Sequence, residues 1–338
     1  MKAVGLDYSR RRLCIRDVAE PEPRADQVLL EVVEVGVCGT DRELAHFHLG
    51  YPPEGEEFLT LGHEALARVA AAGSKVQGFQ RGDWVAPAVR RSCRPACVSC
   101  ARGRRDLCVS GNWHDRGVTG EHGYFTRYAV DSPEDLVLVP PSLADRAVLM
   151  EPLSVVEKAA ATALRLHEPG ARKALVLGAG PIGILSALVF QKRGLEVTIA
   201  SLEEEAAPRV RLIRRAGVGY RQGTGQLEQA DIVVEATGSS QVAAAGLGFL
   251  APLGVYALIG GSNASGDFPF RQMVLKNQMV FGSVNASPEA FKDGLNDLAA
   301  FDGAVVDGLL HRLAFNDFER SILAPPGEAV KLVHRIAG

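Results

Sequence analysis

The segment from Lys173 to Gly194, KALVLGAGPIGILSALVFQKRG, constrains the fold of this 338-residue chain more than any other. An apolar run, Ala174 to Leu177, leads straight into Gly178, Gly180 and Gly183, and an apolar stretch of helical character follows. That order reads as strand, tight turn and helix. In G-x-G-x-x-G the first glycine allows the turn, the second lets a pyrophosphate approach the backbone, and the third lets helix pack on strand. The helix opens at Pro181 and Ile182, and its free amides would face the phosphates. A turn of this kind can also exist without a ligand, so its context decides. Candidate strands recur at Glu196 to Ala200, Val218 to Arg221, Asp231 to Glu235, Val255 to Ile259 and Met279 to Val284, with apolar or amphipathic segments between them. Alternation of this length predicts a doubly wound α/β sheet of six parallel strands, a dinucleotide-binding architecture.

The chain is longer than one hydrophobic core usually supports, so two domains are expected. With 47% hydrophobic and 23% charged residues and a formal net charge of −3, it reads as globular and offers no electrostatic argument for nucleic acid or a membrane surface. No signal-type N-terminal segment and no apolar run of about 20 residues is evident. A cytoplasmic location follows as the expectation, and clustered cysteines there bind metal more often than they form disulfides.

Residues 1 to 37 are strand-like and suggest a small β-rich domain. Cys38-Gly39-Thr40-Asp41 comes next, then Gly62-His63-Glu64 after a loop, and a further carboxylate, Glu151, lies in LMEPLS. Thiolate, imidazole and carboxylate are the ligand types of a catalytic zinc, which keeps one coordination position open. A buried cysteine and a hydrogen-bonded histidine would give the same residues without a metal. The pattern of Cys93, Cys97, Cys100 and Cys108, between arginine-rich flanks and without hydrophobic periodicity, is more specific. Four closely spaced thiolates suit a closed structural zinc that holds together a loop too polar to fold alone.

The motifs GVCGTD, LGHEA, the four-cysteine lobe, EPL, GAGPIG, EATG and a final VNA together resemble the zinc-dependent medium-chain alcohol/polyol dehydrogenase family along nearly the whole chain. GVCGTDREL, the arginine pair before the lobe, GVTGEHGYFTRYAVDSPEDLVLVP and FGSVNA resemble its glucose 1-dehydrogenase branch. The resemblance implies a Rossmann coenzyme domain over residues 154–286. It also implies a GroES-like catalytic domain over 1–153 and 287–338. Cys38, His63, Glu64 and Glu151 would surround the catalytic zinc, the last two directly or through water, and Cys93, Cys97, Cys100 and Cys108 would hold the lobe zinc. Thr40 would sit beside the alcohol oxygen and relay its proton, with Glu43, His46 and His48 as exits or as ordinary solvated residues. Thr237 and Gly238 would fall where a strand ends at the coenzyme, and Val284 and Asn285 near the nicotinamide. The family is usually dimeric or tetrameric, so a homo-oligomer is implied.

Some residues depart from the branch. One extra residue separates Cys93 from Cys97, Val89 and Ala290 stand where hydrogen-bonding side chains are expected, and Asp115 replaces a longer acid that contacts sugar hydroxyls. The coenzyme signal sits in TIASLEEEAAPR. Glu203 lies about 20 residues beyond the glycines, where an acid takes the ribose hydroxyls of NAD. Ser201 occupies the place where NAD enzymes of the wider family carry an acid, and Arg209 or Arg211 could accommodate the phosphate of NADP. The expectation is NAD over NADP. The expected activity is oxidation of a sugar hemiacetal or secondary alcohol. The alternatives are a polyol or other alcohol dehydrogenase and, in a different class, a dinucleotide-binding redox sensor that has lost catalysis.

Overall fold

Strand Val28–Val37, sequence VLLEVVEVGV, alternates buried and half-buried positions before ending fully buried, as a strand with one face on a core should. The computed structural model describes residues 1–225, 227–261, 268–324 and 327–336, and in it this strand is the axis of a seven-stranded sheet. Glu64–Ala72, Tyr128–Asp131 and Lys331–Arg335 pair with it antiparallel. A smaller sheet joins Arg12–Asp17, Lys2–Asp7 and Phe58–Thr60. Their shared core includes Leu30, Val32, Val35, Leu59, Leu61 and Phe125. These elements belong to one compact unit, Met1–Glu151 with Asn285–Phe291 and Leu310–Gly338.

The second unit comprises Pro152–Val284 and Lys292–Leu309. Its six parallel strands run in the spatial order Gly219–Gln222, Glu196–Ser201, Lys173–Leu177, Ala230–Glu235, Leu250–Leu258 and Met279–Gly282. This is the Rossmann order with the expected strand count. Lys173–Leu177 is buried at every position but the first, as a strand covered on both faces must be. Strand Leu250–Leu258 begins earlier than its apolar run suggests, because Pro252-Leu253-Gly254 interrupts the pattern while Leu253 takes a positive φ of 64°.

One segment departs from the expected domain division. Residues Lys292–Leu309 cluster with the parallel sheet and not with the β-rich unit. Ion pairs hold it there: Asp297 meets Lys192 at 2.7 Å and Arg193 at 2.5 Å, and Arg193 also donates a hydrogen bond to Glu157 at 2.7 Å. Burial and then the neighbouring Asp297 push the Glu157 carboxyl up to about 8. Among the described residues no helix is long and apolar enough to cross a membrane.

Candidate functional site

Strand pairing brings Cys38 and His63 together. Gly36 sits opposite Glu64 in the antiparallel register, so the residues just past one strand and just before the other share one end of the sheet. Cys38 Sγ lies 3.1 Å from His63 Nε2. Cys38 also caps helix Gly39–Ala45: its sulfur accepts from the Thr40 amide at 3.2 Å, while the Asp41 carboxylate accepts from the Cys38 amide at 2.8 Å. Asp41 Oδ1 stands 3.5 Å from His63 Nδ1, on the ring edge away from the thiol. A carboxylate behind a histidine fixes which ring nitrogen is presented forward, a common support for a metal ligand. The ligand atoms of Cys38, Asp41 and His63 lie within 4.8 Å of one another. Asp41 escaped the sequence reading, although its place three residues after Cys38 is the capping-box spacing.

Glu64 and Glu151, read from the sequence as carboxylates around the metal, stand outside that group. Glu64 is buried in an ion pair with Lys331, which is 1% exposed and also donates to the Val37 carbonyl at 3.1 Å. Gly36 makes this possible, because a Cβ there would collide with the Glu64 carboxylate and lie 2.9 Å from Lys331 Cε. No local pattern announces Lys331; strand Lys331–Arg335 delivers it from the far end of the chain. Glu151, at the start of helix Met150–Leu166, has its carboxyl pushed up to about 7, by burial first and then by Glu64. Asp115 raises it further, while His63 and Lys331 pull the other way. Glu151 is therefore within electrostatic reach of Glu64, His63, Lys331 and Asp115. The Cys38 thiol, the His63 imidazole and the buried Asp41 carboxylate, with ligand atoms within 4.8 Å of one another, are a donor set that suits a divalent cation such as zinc.

Asp115 is held by Arg90 in a two-pronged grip, Nε to Oδ1 at 2.7 Å and Nη2 to Oδ2 at 2.8 Å. With the Asn285 amide turned so that its oxygen faces Arg90, it accepts from the same two nitrogens at 3.2 and 2.8 Å. Asn285 has a positive φ of 58°, which asparagine tolerates better than most residues. The next residue, Arg91, engages Asp131 at 3.0 Å, Asp135 at 2.8 Å and Tyr124 at 3.0 Å. Val89 and Ala290 are both buried. Glu43 and His48 pair at 3.0 Å on the surface, and His46 bonds the Arg42 carbonyl.

The lobe brings all four of its sulfurs within 4.8 Å of one another, and none is in a disulfide. Cys97 and Cys108 sulfurs are 3.7 Å apart. Metal–sulfur bonds of about 2.3 Å in a tetrahedron give an edge of about 3.8 Å, so four thiolates here fit a zinc. The extra residue between Cys93 and Cys97 does not expel Cys93, whose sulfur accepts from the Cys97 amide at 3.1 Å. Amides of Cys100 and Val109 bring the Cys97 thiol down to about 5, ready to bind as thiolate.

In the second unit Gly178 takes φ +109°, and a Cβ on Gly183 would run into the Gly178 carbonyl oxygen. Nothing lies within 4 Å of a Cβ at Gly180, the N-cap of helix Pro181–Lys192, so a phosphate has room there. Ile182 follows Pro181 in the first turn of this helix. Buried Glu235 holds the Thr237-Gly238 turn through the amides of both residues, at 2.6 and 2.9 Å. Ser201 ends its strand with its hydroxyl 2.8 Å from that of Tyr220. Glu203 pairs with Arg209 at 2.9 Å and Glu205 with Arg214 at 3.0 Å, so the acidic run is partly neutralised by its own helix. Val284 is 62% exposed and its carbonyl accepts from Lys158 at 2.9 Å.

The chain is similar to known proteins over nearly its whole length. Residues 24–141 match the alcohol dehydrogenase GroES-like domain and residues 144–333 the glucose dehydrogenase C-terminus. The glucose 1-dehydrogenase of Methanocella arvoryzae is 38% identical over 331 residues, covering 93% of this chain and 92% of that one. Glucose 1-dehydrogenase 1 of Caldivirga maquilingensis is 41% identical over 321 residues, 91% of this chain and 90% of its own. The structure of Haloferax mediterranei glucose dehydrogenase in complex with NADP, Zn and gluconolactone superposes with a TM-score of 0.91 at 28% identity, over 100% of both chains.

Proposed function

The chain belongs to the zinc-dependent medium-chain dehydrogenases, in their glucose dehydrogenase branch, and on that premise we propose that it oxidises the hemiacetal carbon of an aldose, glucose foremost, to the lactone. The hydride passes to NAD(P) and one proton is released. The observation that carries this reading is the meeting of Cys38 and His63 at 3.1 Å beside buried acids. When bound, zinc lowers the pKa of a hydroxyl and favours its alkoxide, and the nicotinamide accepts the hydride. Cys38 and His63 hold the catalytic metal, and Asp41 fixes the orientation of His63. Thr40 takes the hydroxyl proton and passes it towards solvent. Glu64 and Glu151 complete the metal's surroundings, directly or through water, with Lys331 offsetting the charge of Glu64. Asp115 accepts from sugar hydroxyls. Cys93, Cys97, Cys100 and Cys108 hold the structural zinc.

The Gly178–Gly183 turn receives the pyrophosphate at the helix start, with Thr237, Gly238, Val284 and Asn285 along the coenzyme. NAD is favoured over NADP, because the Glu203 carboxylate can accept from the ribose hydroxyls while it keeps its pair with Arg209. Free thiols throughout suit a cytoplasmic location. A homodimer or homotetramer fits the edge strand Met279–Gly282 and the helix leading into it, which exposes Phe270, Val274 and Leu275. Burial of apolar Val89 and Ala290 favours, as a second reading, a polyol or other alcohol as substrate. Initial rates with NAD and NADP over aldoses, polyols and secondary alcohols, with and without a zinc chelator, test the set. Chelator-sensitive turnover of glucose supports the first reading, turnover of polyols or simple alcohols alone moves it to the second, and no turnover contradicts both.

A further inference from the structure

We propose that Tyr220 is a positioning residue for coenzyme choice, which takes up the proton of the Ser201 hydroxyl so that Ser201 accepts from a ribose hydroxyl and has nothing to donate to a phosphate. This deepens, and rests on, the reading of the chain as a dehydrogenase that favours NAD. Ser201 is half-buried and closes strand Glu196–Ser201. The residue before it is tied to the glycine turn, since the Ala200 carbonyl accepts from the Gly178 amide at 2.8 Å. In a sheet of this topology the stretch just past the second strand reads the adenine ribose, where NAD carries a hydroxyl and NADP a phosphate.

Tyr220 belongs to the neighbouring strand Gly219–Gln222, pairs with Ile199 in the parallel register and is fully buried. Its hydroxyl touches two oxygens, the Glu203 carbonyl at 2.5 Å and the Ser201 hydroxyl at 2.8 Å. A phenol has one proton and a carbonyl has none, so Tyr220 donates to Glu203, and its contact with Ser201 is a hydrogen bond only with Ser201 as donor. The chain therefore runs from Ser201 to Tyr220 to Glu203, and the Ser201 proton is spent. What the Ser201 oxygen keeps is lone pairs, which suit an incoming O–H and offer nothing to a phosphate oxygen. Burial raises the phenol above its ordinary value, so it stays protonated at neutral pH. The bend itself has other ties: the Gly223 amide donates to the Ser201 carbonyl at 2.6 Å, and Arg214 holds Glu205 at 3.0 Å.

The test is fluorescence titration of the zinc-loaded enzyme with NADH and with NADPH, in the wild type, Tyr220→Phe, Ser201→Ala and the double variant. Phenylalanine keeps the ring and removes only the hydroxyl, which returns the proton to Ser201. Tyr220→Phe should tighten NADPH about 3- to 10-fold, the worth of one hydrogen bond, while NADH moves less than about twofold. The double variant should lose that gain, because its donor is gone. Should Tyr220→Phe fail to fold by thermal unfolding, Ser201→Ala decides alone: it should weaken NADH by about the same factor and leave NADPH unchanged. Equal shifts for both coenzymes in folded Tyr220→Phe, no shift at all, or a gain that survives in the double variant overturns this proposal alone. A Ser201→Ala enzyme with unaltered NADH affinity or weakened NADPH affinity does the same. A wild type that binds NADPH more tightly than NADH overturns the coenzyme reading and this proposal with it.

Discussion

In the lobe, four cysteines from the single stretch Cys93 to Cys108 bring their sulfurs within 4.8 Å, whereas Cys38 and His63 meet only because the strands Val28–Val37 and Glu64–Ala72 pair in one register. The lobe set is closed, with a thiolate for every corner of a tetrahedron. The other set is open and crowded with ionisable neighbours: Asp41 behind His63, Lys331 against Glu64, and Glu151 pushed up to about 7 by burial and Glu64. A local cluster can stabilise a polar loop and nothing more. An assembled, charged and incomplete one can exchange ligands and protons.

That contrast can be broken experimentally. The largest effect on stability is expected at the lobe, where metal binding and folding would be one event. Cys97→Ser should lose one zinc and unfold at a markedly lower temperature, as differential scanning calorimetry with metal analysis would record. Unchanged zinc content and unfolding temperature would remove the lobe's structural role. Next comes Lys331→Met, which leaves the Glu64 charge buried without its partner and should cost about 3–5 kcal/mol of stability. Adding Glu64→Gln to that variant should restore part of the loss in denaturant titrations. If the single substitution is neutral, the charge pair does not support the open site.

The smallest effect lies outside both clusters and supplies the baseline. Glu157 titrates near 8 in the folded chain, above its unfolded value of about 4.5. The folded state therefore binds more protons at this group between those values, so the contribution of Glu157 to stability is full below about 4.5 and is lost as pH rises through 8. Glu157→Gln should flatten that slope, and an unaltered slope would place the titrating group elsewhere.

The same contrast explains what the sequence revealed. The glycine turn, the parallel strands and the lobe cysteines are local, each written in consecutive residues, and all were legible. Cys38 and His63 were legible as ligand types. Their supports were less so: Asp41 carried a faint spacing signal, while Lys331 reaches Glu64 only through the pairing of a C-terminal strand with Val28–Val37. Arg90 was visible as one of an arginine pair, but successive residues on an extended segment face opposite ways, and only the fold separates the one that grips Asp115 from the one buried on Asp131. The boundary at residue 292 was hidden for a similar reason, since the pairs of Asp297 with Lys192 and Arg193 are long-range.

The most direct test of the central claim, that two metal clusters do different work, is to measure zinc content, unfolding temperature and glucose turnover together in the wild type and in Cys38→Ser. The wild type should carry two zinc ions per chain, one for each cluster. Cys38→Ser should retain the lobe zinc and nearly the wild-type unfolding temperature while losing turnover. A Cys38→Ser enzyme that still turns over, or one that loses its fold along with its activity, would contradict the division of labour.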